Sequence, residues 1–273
     1  MKKVLTICLL ILISMGCSKK ESEVPGNEPE SCQVKYLFFR DDISFTDFGT
    51  MSGISGPYIC SYRYNQGSVD RITGGYFPVP AGTNLLNYIF SYSTVYDSIT
   101  TGNNTFQLFE KYIIDDGNTF EKSTNPLIFY LDAQNRLVKV FRKDGLNPDG
   151  YDLNYTYAND QITETFKTSY TRRTFFMDNN NLVKVTAEHF NPQGKLYSTK
   201  EILFLDYDDH PNPFKNRYYI TGAFFRAFSQ NNYRAYTINQ YGKTSDSTFG
   251  LITTSHVDLP LTYHSNGYPN FGE

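Results

Sequence analysis

Tyr155-Thr156-Tyr157, then Ala158-Asn159-Asp160, then Ile162-Thr163-Glu164-Thr165-Phe166: this stretch decides the fold. Aromatic and β-branched residues alternate with polar ones on either side of a short Asx turn. A period of two puts alternate side chains on one face of a strand, and Asn or Asp supplies the tight turn that reverses it. The same unit recurs on both sides. Upstream, Phe129-Tyr130-Leu131 passes through Asp132-Ala133-Gln134-Asn135 into Arg136-Leu137-Val138-Lys139-Val140-Phe141. Downstream, Phe175-Phe176-Met177 passes through Asp178-Asn179-Asn180-Asn181 into Leu182-Val183-Lys184-Val185, and His189-Phe190 through Asn191-Pro192-Gln193-Gly194 into Lys195-Leu196-Tyr197. Ile59-Cys60-Ser61-Tyr62-Arg63-Tyr64 alternates too, turns at Asn65-Gln66-Gly67 and resumes at Val69 and Ile72. The pattern predicts an all-β domain, a curved or barrel-like antiparallel meander of short hairpins, over most of residues 33–208.

One segment changes period. Ile220, Ala223, Phe224, Ala227 and Phe228 fall at i, i+3, i+4, i+7 and i+8, which predicts one short helix near 220–230, capped by Thr221 and stopped by Asn231-Asn232. Strands resume at Tyr233 to Gln240, and Tyr263-His264-Ser265-Asn266-Gly267-Tyr268 predicts a last hairpin.

Composition agrees. The 273 residues include 23 Tyr and 22 Phe but no Trp, and 40% are hydrophobic against 19% charged, which excludes a wholly disordered chain. With 25 basic and 28 acidic residues the net charge is −3, so a nucleic-acid partner is not expected.

The first residues set the compartment. Lys2-Lys3 precede an apolar run from Val4 to Ile13, interrupted by Thr6. Such a run rises only about 15 Å as a helix, half a bilayer. It is the hydrophobic region of a signal peptide rather than a membrane span. Ser14-Met15-Gly16-Cys17 follows and resembles the lipobox of bacterial lipoproteins, with Ser14 and Met15 where Leu and a small residue are usual. The resemblance implies a signal peptide over 1–16, cleavage after Gly16 and lipid (palmitate among its acyl chains) on Cys17. Residues 17–31 then form the lipidated end and a polar, acidic tether, and 32–273 a single β-rich domain. Loss of Lys2 and Lys3 leaves 23 basic against 28 acidic residues, a net of −5. The expected location is the outer membrane, on its periplasmic or cell-surface face.

Cys8 leaves with the leader and Cys17 takes lipid, so Cys32 and Cys60 remain, as a disulfide or as two buried thiols. A bridge would close a loop worth about 3–4 kcal/mol in the chain-entropy picture.

The hairpin units look like YD-type repeats. Together with Tyr207-Asp208-Asp209-His210-Pro211-Asn212-Pro213-Phe214, the Phe-rich segment after it and the closing Tyr-His-Ser-Asn-Gly-Tyr-Pro at 263–269, they resemble an uncharacterised family of bacterial envelope lipoproteins described as porin-like in fold. The resemblance implies a curved or closed antiparallel sheet over roughly residues 50–270 and brings no activity with it. The chain ends soon after Pro269, which leaves little for a closing strand. A membrane channel is not the expectation: Lys139 with Arg142, Glu164 with Lys167, and Arg172-Arg173 interrupt any continuous apolar outer face.

Motifs of chemistry are sparse. Gly53-Ile54-Ser55-Gly56 has its glycine one residue too early for a nucleophile elbow. Asp144-Gly145-Leu146-Asn147-Pro148-Asp149-Gly150 lacks the ligand register of an EF-hand loop and reads as a hairpin loop. Asp206, Asp208, Asp209 and His210 form the densest cluster of metal-ligand types, set against a solvated strand end whose carboxylates open a Pro-rich turn. Glu110, Glu121, Glu164, Glu188 and Glu201 supply carboxylates with no spacing that pairs two for acid–base work. Tyr62, Tyr64, Tyr155 and Tyr157 are candidate stacking platforms for sugars, set against cross-strand aromatic packing. No cofactor is expected. The leading function is a non-catalytic binding or assembly role at the envelope, with membrane, glycan or envelope protein as partners. The alternatives are a glycan-binding accessory lipoprotein and a hydrolase.

Overall fold

The computed structural model describes residues 36–39, 58–65, 68–73, 96–109, 111–113, 120–122, 126–142, 151–166, 170–219, 223–244 and 248–271. They are almost wholly β. In chain order the strands are β1 (Tyr36–Phe39), β2 (Tyr58–Asn65), β3 (Ser68–Thr73), β4 (Tyr96–Gly102), β5 (Thr105–Phe109), β6 (Lys111–Ile113), β7 (Phe120–Lys122), β8 (Leu127–Leu131) and β9 (Leu137–Arg142). There follow β10 (Tyr151–Ala158), β11 (Gln161–Phe166), β12 (Thr171–Asp178), β13 (Asn181–Phe190), β14 (Leu196–Tyr207), β15 (Tyr233–Lys243), β16 (Phe249–Asp258), β17 (Thr262–Tyr263) and β18 (Pro269–Asn270).

Fourteen strands form one antiparallel sheet in which each pairs with its neighbour in sequence, except that β5 pairs with β8 across the separate β6–β7 hairpin. β17 and β18 make a second small hairpin. The predicted meander is therefore the fold.

Its turns follow from residues that tolerate positive φ. Asn179 and Asn180, at φ +47° and +62°, join β12 to β13 in a two-residue loop of the mirror-image kind that matches strand twist. Asp132 and Asn191 open two loops built alike. In each, the side-chain oxygen accepts two backbone N–H bonds, from Gln134 and Arg136 or from Gln193 and Lys195. In each, the fourth residue, Asn135 or Gly194, takes the left-handed conformation, and a bulge follows in the ladder.

One face of the sheet is the core. Leu108, Leu127, Phe129, Leu137, Val140 and Phe175 are among its fully buried side chains. Against them packs the excursion that leaves β14 at Tyr207 and returns at Tyr233, the residue opposite it on β15. Phe214, Tyr218, Tyr219, Phe224, Phe225 and Phe228 of this excursion are all buried. It acts as a plug. Phe214 meets Tyr62 of β2 at 6.4 Å, Tyr219 stacks on Phe106 of β5 at 4.1 Å, Phe228 meets Phe175 of β12 at 4.9 Å and Phe225 meets Phe204 of β14 at 5.6 Å.

Those contacts require curvature. β2 and β14 stand ten strand steps apart in the sheet. In a flat sheet that is about 48 Å. Yet the plug ties its own arms together, because Asn212 Nδ2 donates to Arg226 O at 2.7 Å and Asn216 N to Ala227 O at 2.9 Å. One compact segment can touch both strands only if the sheet curls around it. Among the described residues β1 and β16 are the sheet's two ends and do not pair, so the sheet curls without closing.

The predicted helix near 220–230 is the point of disagreement. Among the described residues the structure has a single 3₁₀ turn there, Arg226–Phe228, and Ser229 leaves in extended conformation. The physical reason is enclosure. An amphipathic helix needs a wet side, whereas residues 223–229 are buried on all sides, Arg226 and Ser229 included. Their peptide groups bond across the plug and to the sheet instead. Asn212 Nδ2 donates to Ser229 O, Leu182 N donates to Ser229 Oγ at 3.0 Å, and Gln230 N donates to Asn180 O at 3.0 Å. The apolar spacing identified a buried segment but assigned it the wrong backbone.

Candidate functional site

The candidate residues fall into three groups, and the fold disposes of each differently. The four tyrosines belong to the interior. Tyr62 of β2 is 7% exposed and packs edge-on to Phe214, and Tyr155 of β10 is 4% exposed. Tyr64 and Tyr157 pack against the same core. The Tyr157 hydroxyl donates to Leu137 O at 2.8 Å, its ring lies under the Arg136 guanidinium at 4.5 Å, and burial pushes its pKa well above the ordinary phenol range. This is the cross-strand and core use of tyrosine rather than a row of exposed ring faces.

The acidic cluster does not converge on a point. Asp206, in the left-handed region at φ +55°, accepts from Arg234 Nη2 at 2.7 Å. Asp208 Oδ1 accepts from the backbone N–H of Asn232 at 3.0 Å and of His210 at 3.2 Å, and its Oδ2 accepts from the Tyr263 hydroxyl at 2.5 Å. Asp209 is fully exposed. His210 stacks on Tyr263 with ring centroids 4.1 Å apart. Among the described residues no three His, Cys, Asp or Glu side chains are arranged as metal ligands. The cluster fastens the β17–β18 hairpin to the mouth of the plug. Burial, and then the Asp208 carboxylate beside it, pushes the Tyr263 hydroxyl up, so it remains the proton donor of that bond at any physiological pH.

The cysteines fall elsewhere. Cys17 and Cys32 lie outside the described residues, as does the Asp144–Gly150 loop. The backbone of Cys60 sits in β2 opposite Leu37 of β1. The Cys32–Cys60 pairing therefore lies outside the described residues.

The charged constellation inside the sheet was not singled out by its sequence. Tyr155, Glu164 and Arg173 stand directly opposite one another on β10, β11 and β12. Glu164 is 3% and Arg173 4% exposed. Arg173 Nε donates to Glu164 Oε1 at 2.6 Å, a second guanidinium nitrogen lies 2.5 Å from the same oxygen, and the Tyr155 hydroxyl donates to Oε2 at 2.7 Å. Burial pushes the Glu164 carboxyl up, and the guanidinium and the phenol pull against it. The signal that could have found it is parity. Glu164 shares the inward face of β11 with Ile162, and each hairpin turn then fixes which residue lies opposite.

Chemically the triad is closed. Both carboxylate oxygens are engaged, no second buried carboxylate accompanies Glu164 among the described residues, and Phe175 packs edge-on to Tyr155 at 6.3 Å. The arrangement pairs the carboxyl with a guanidinium and a phenol inside the sheet.

The described residues thus define an open, curled antiparallel meander filled from within. Comparison with solved structures gives a likeness of fold. A crystal structure of a porin-like protein from Bacteroides vulgatus ATCC 8482 superposes with a TM-score of 0.42 at 9% sequence identity, covering 86% of this chain and 89% of that one. No family model matches the chain. No curated protein matches it either.

Proposed function

We propose that this chain is a lipid-anchored protein of the outer membrane, on its periplasmic or cell-surface face, with a non-catalytic binding or assembly role. The observation that carries the non-catalytic reading is the occupied concave face. The plug fills the side of the sheet on which a curved meander would cradle a ligand, and the tyrosines and the buried carboxylate there are engaged with it and with each other. The glycan-binding alternative drew on those same tyrosines, which packing occupies; of the hydrolase alternative's carboxylates, Glu164 is buried against Arg173, and Glu188 and Glu201 sit in partly exposed ion pairs with Arg172 and Lys184. The anchor is supported by the leader, in which Lys2-Lys3, the apolar run and Cys17 stand in the order that lipid modification requires, with a polar tether after them. Outward-facing strand residues and rims are then the surfaces left for partners.

The test is fractionation of cells making the full chain with and without Cys17→Ala. The unaltered chain is expected in the membrane fraction and labelled by radioactive palmitate, and the variant is expected unlabelled and released. A variant that stays in the membrane, or a wild-type chain without label, overturns the anchor. The role is tested apart from it, by a thermal-shift screen of the purified full chain against polysaccharide fragments and divalent cations. A glycan shift that survives Tyr62→Phe and Tyr155→Phe would place a sugar site on the outer face.

A further inference from the structure

The free edge of β16 is built to be covered. It is one end of the sheet, its side away from β15 is unpaired among the described residues, and eight of its ten residues are exposed. Phe249, Leu251 and Ile252 are 48%, 52% and 49% exposed, and Tyr197 of β14, two strands away at the same end, is 52% exposed. Edge strands in folded proteins are normally blunted by Lys, Pro, inward charges or a β-bulge; of these β16 has a bulge, at Ile252, where its ladder with β15 slips between Gln240 and Tyr241. From Phe249 to Val257 this one carries no Lys, Arg, Asp, Glu or Pro, and it is rich in Thr, Ile, Leu and Val.

We propose that β16 pairs antiparallel with β16 of a second copy of this chain, forming a closed dimer across a twofold axis. Three features select a second copy. An antiparallel ladder is self-complementary, so two identical edges satisfy each other's backbone N–H and C=O groups. The strand has no like charges to repel along its length before Asp258. Its ends are also electrically opposite: Lys243 lies beside Phe249 at one end, and Asp258, 84% exposed, stands at the other. Antiparallel pairing brings Asp258 of each copy to the Lys243 end of the other, with backbones two strand spacings apart, about 10 Å. A lipid surface would cover the apolar side chains but leave the edge peptide groups without partners, which argues for a strand as the occupant.

Disulfide trapping in the full chain tests this. Single cysteines at Thr253, Thr254 and Ser255 bracket the middle of the strand, and Thr156→Cys on an exposed position of β10 is the control. At least one of the three is expected to give, on mild oxidation of intact cells, a covalent species of twice the chain mass, at ten times or more the yield of the control. Adding Leu251→Lys is expected to cut that yield at least tenfold while protease resistance stays at the wild-type level. The proposal is overturned if no species of double mass forms, if the yield equals the control, if the bond forms within one chain, if the trapped mass is that of a different protein or an open ladder of copies, or if trapping survives Leu251→Lys.

Discussion

Replacing Arg173 with methionine is expected to destabilise the folded chain by roughly 3–5 kcal/mol at neutral pH, because it leaves the Glu164 carboxyl buried without its counter-ion. Denaturant titration of the full chain measures it. The sign of the pH dependence follows from the site. In the wild-type protein burial already pushes the Glu164 carboxyl up, and Arg173 is the largest influence pulling it back. Without Arg173 the carboxyl rises further. A group whose folded pKa lies above its unfolded value destabilises the fold once it must ionise, so the penalty is full above that raised pKa and shrinks as the pH falls toward the ordinary carboxylate range. The variant is therefore expected to lose less, relative to wild type, at pH 5 than at pH 8. A pH-independent loss would mean that the missing side chain volume, and not the stranded carboxylate, carries the effect. Replacing the whole triad by Tyr155→Phe, Glu164→Leu and Arg173→Met is expected to recover most of the stability, since well-packed apolar side chains substitute for a buried ion pair at little or no cost.

Phe175→Ala is expected to cost about 3–5 kcal/mol, the range for emptying an aromatic site in a packed interior. Phe175 is fully buried, and its ring meets Tyr155 on the sheet and Phe224, Phe225 and Phe228 in the plug. Its loss removes both the transfer energy and the seat of the plug. Tyr197→Ala, an aromatic truncation on the exposed rim, is expected to change stability by less than about 0.5 kcal/mol. Equilibrium unfolding of the two variants side by side reads the contrast. Equal effects would mean that the plug does not stabilise the sheet.

The hairpins were legible because their code is local. Asn159, Asn179-Asn180 and Gly194 stand where a left-handed residue is needed, and each flanking strand shows its inward face by period alone. The plug was legible only as apolar spacing. Ile220, Ala223, Phe224, Ala227 and Phe228 fit a helix face, but whether the opposite side is wet depends on strands far away in sequence, and here Arg226 and Ser229 are buried too. Arg226 shows why composition misled. Its guanidinium lies 3.9 Å over the Tyr233 ring and donates to Tyr233 O, so a charged side chain that reads as solvent-facing is held inside by an aromatic face and a carbonyl. Glu164 and Arg173 read as breaks in an apolar outer face, whereas the register of β11 and β12 turns both inward, toward each other. The tyrosines turn inward for a related reason. Cross-strand packing and sugar stacking ask for the same residue type, and only burial separates them.

The plug also sets an order of assembly. Each ladder of the meander closes over a short span of chain, so hairpins can zip one after another at small entropic cost. The plug's bonds are of another kind, because Tyr62 must find Phe214 and Phe106 must find Tyr219 across most of the domain. Interactions of such long range, where they form after the local ones, act mainly on how slowly the finished molecule comes apart. The plug's contacts are thus expected to bear more on how slowly the native state comes apart than on how fast it forms, which the unfolding rate of a Tyr219→Ala variant measures.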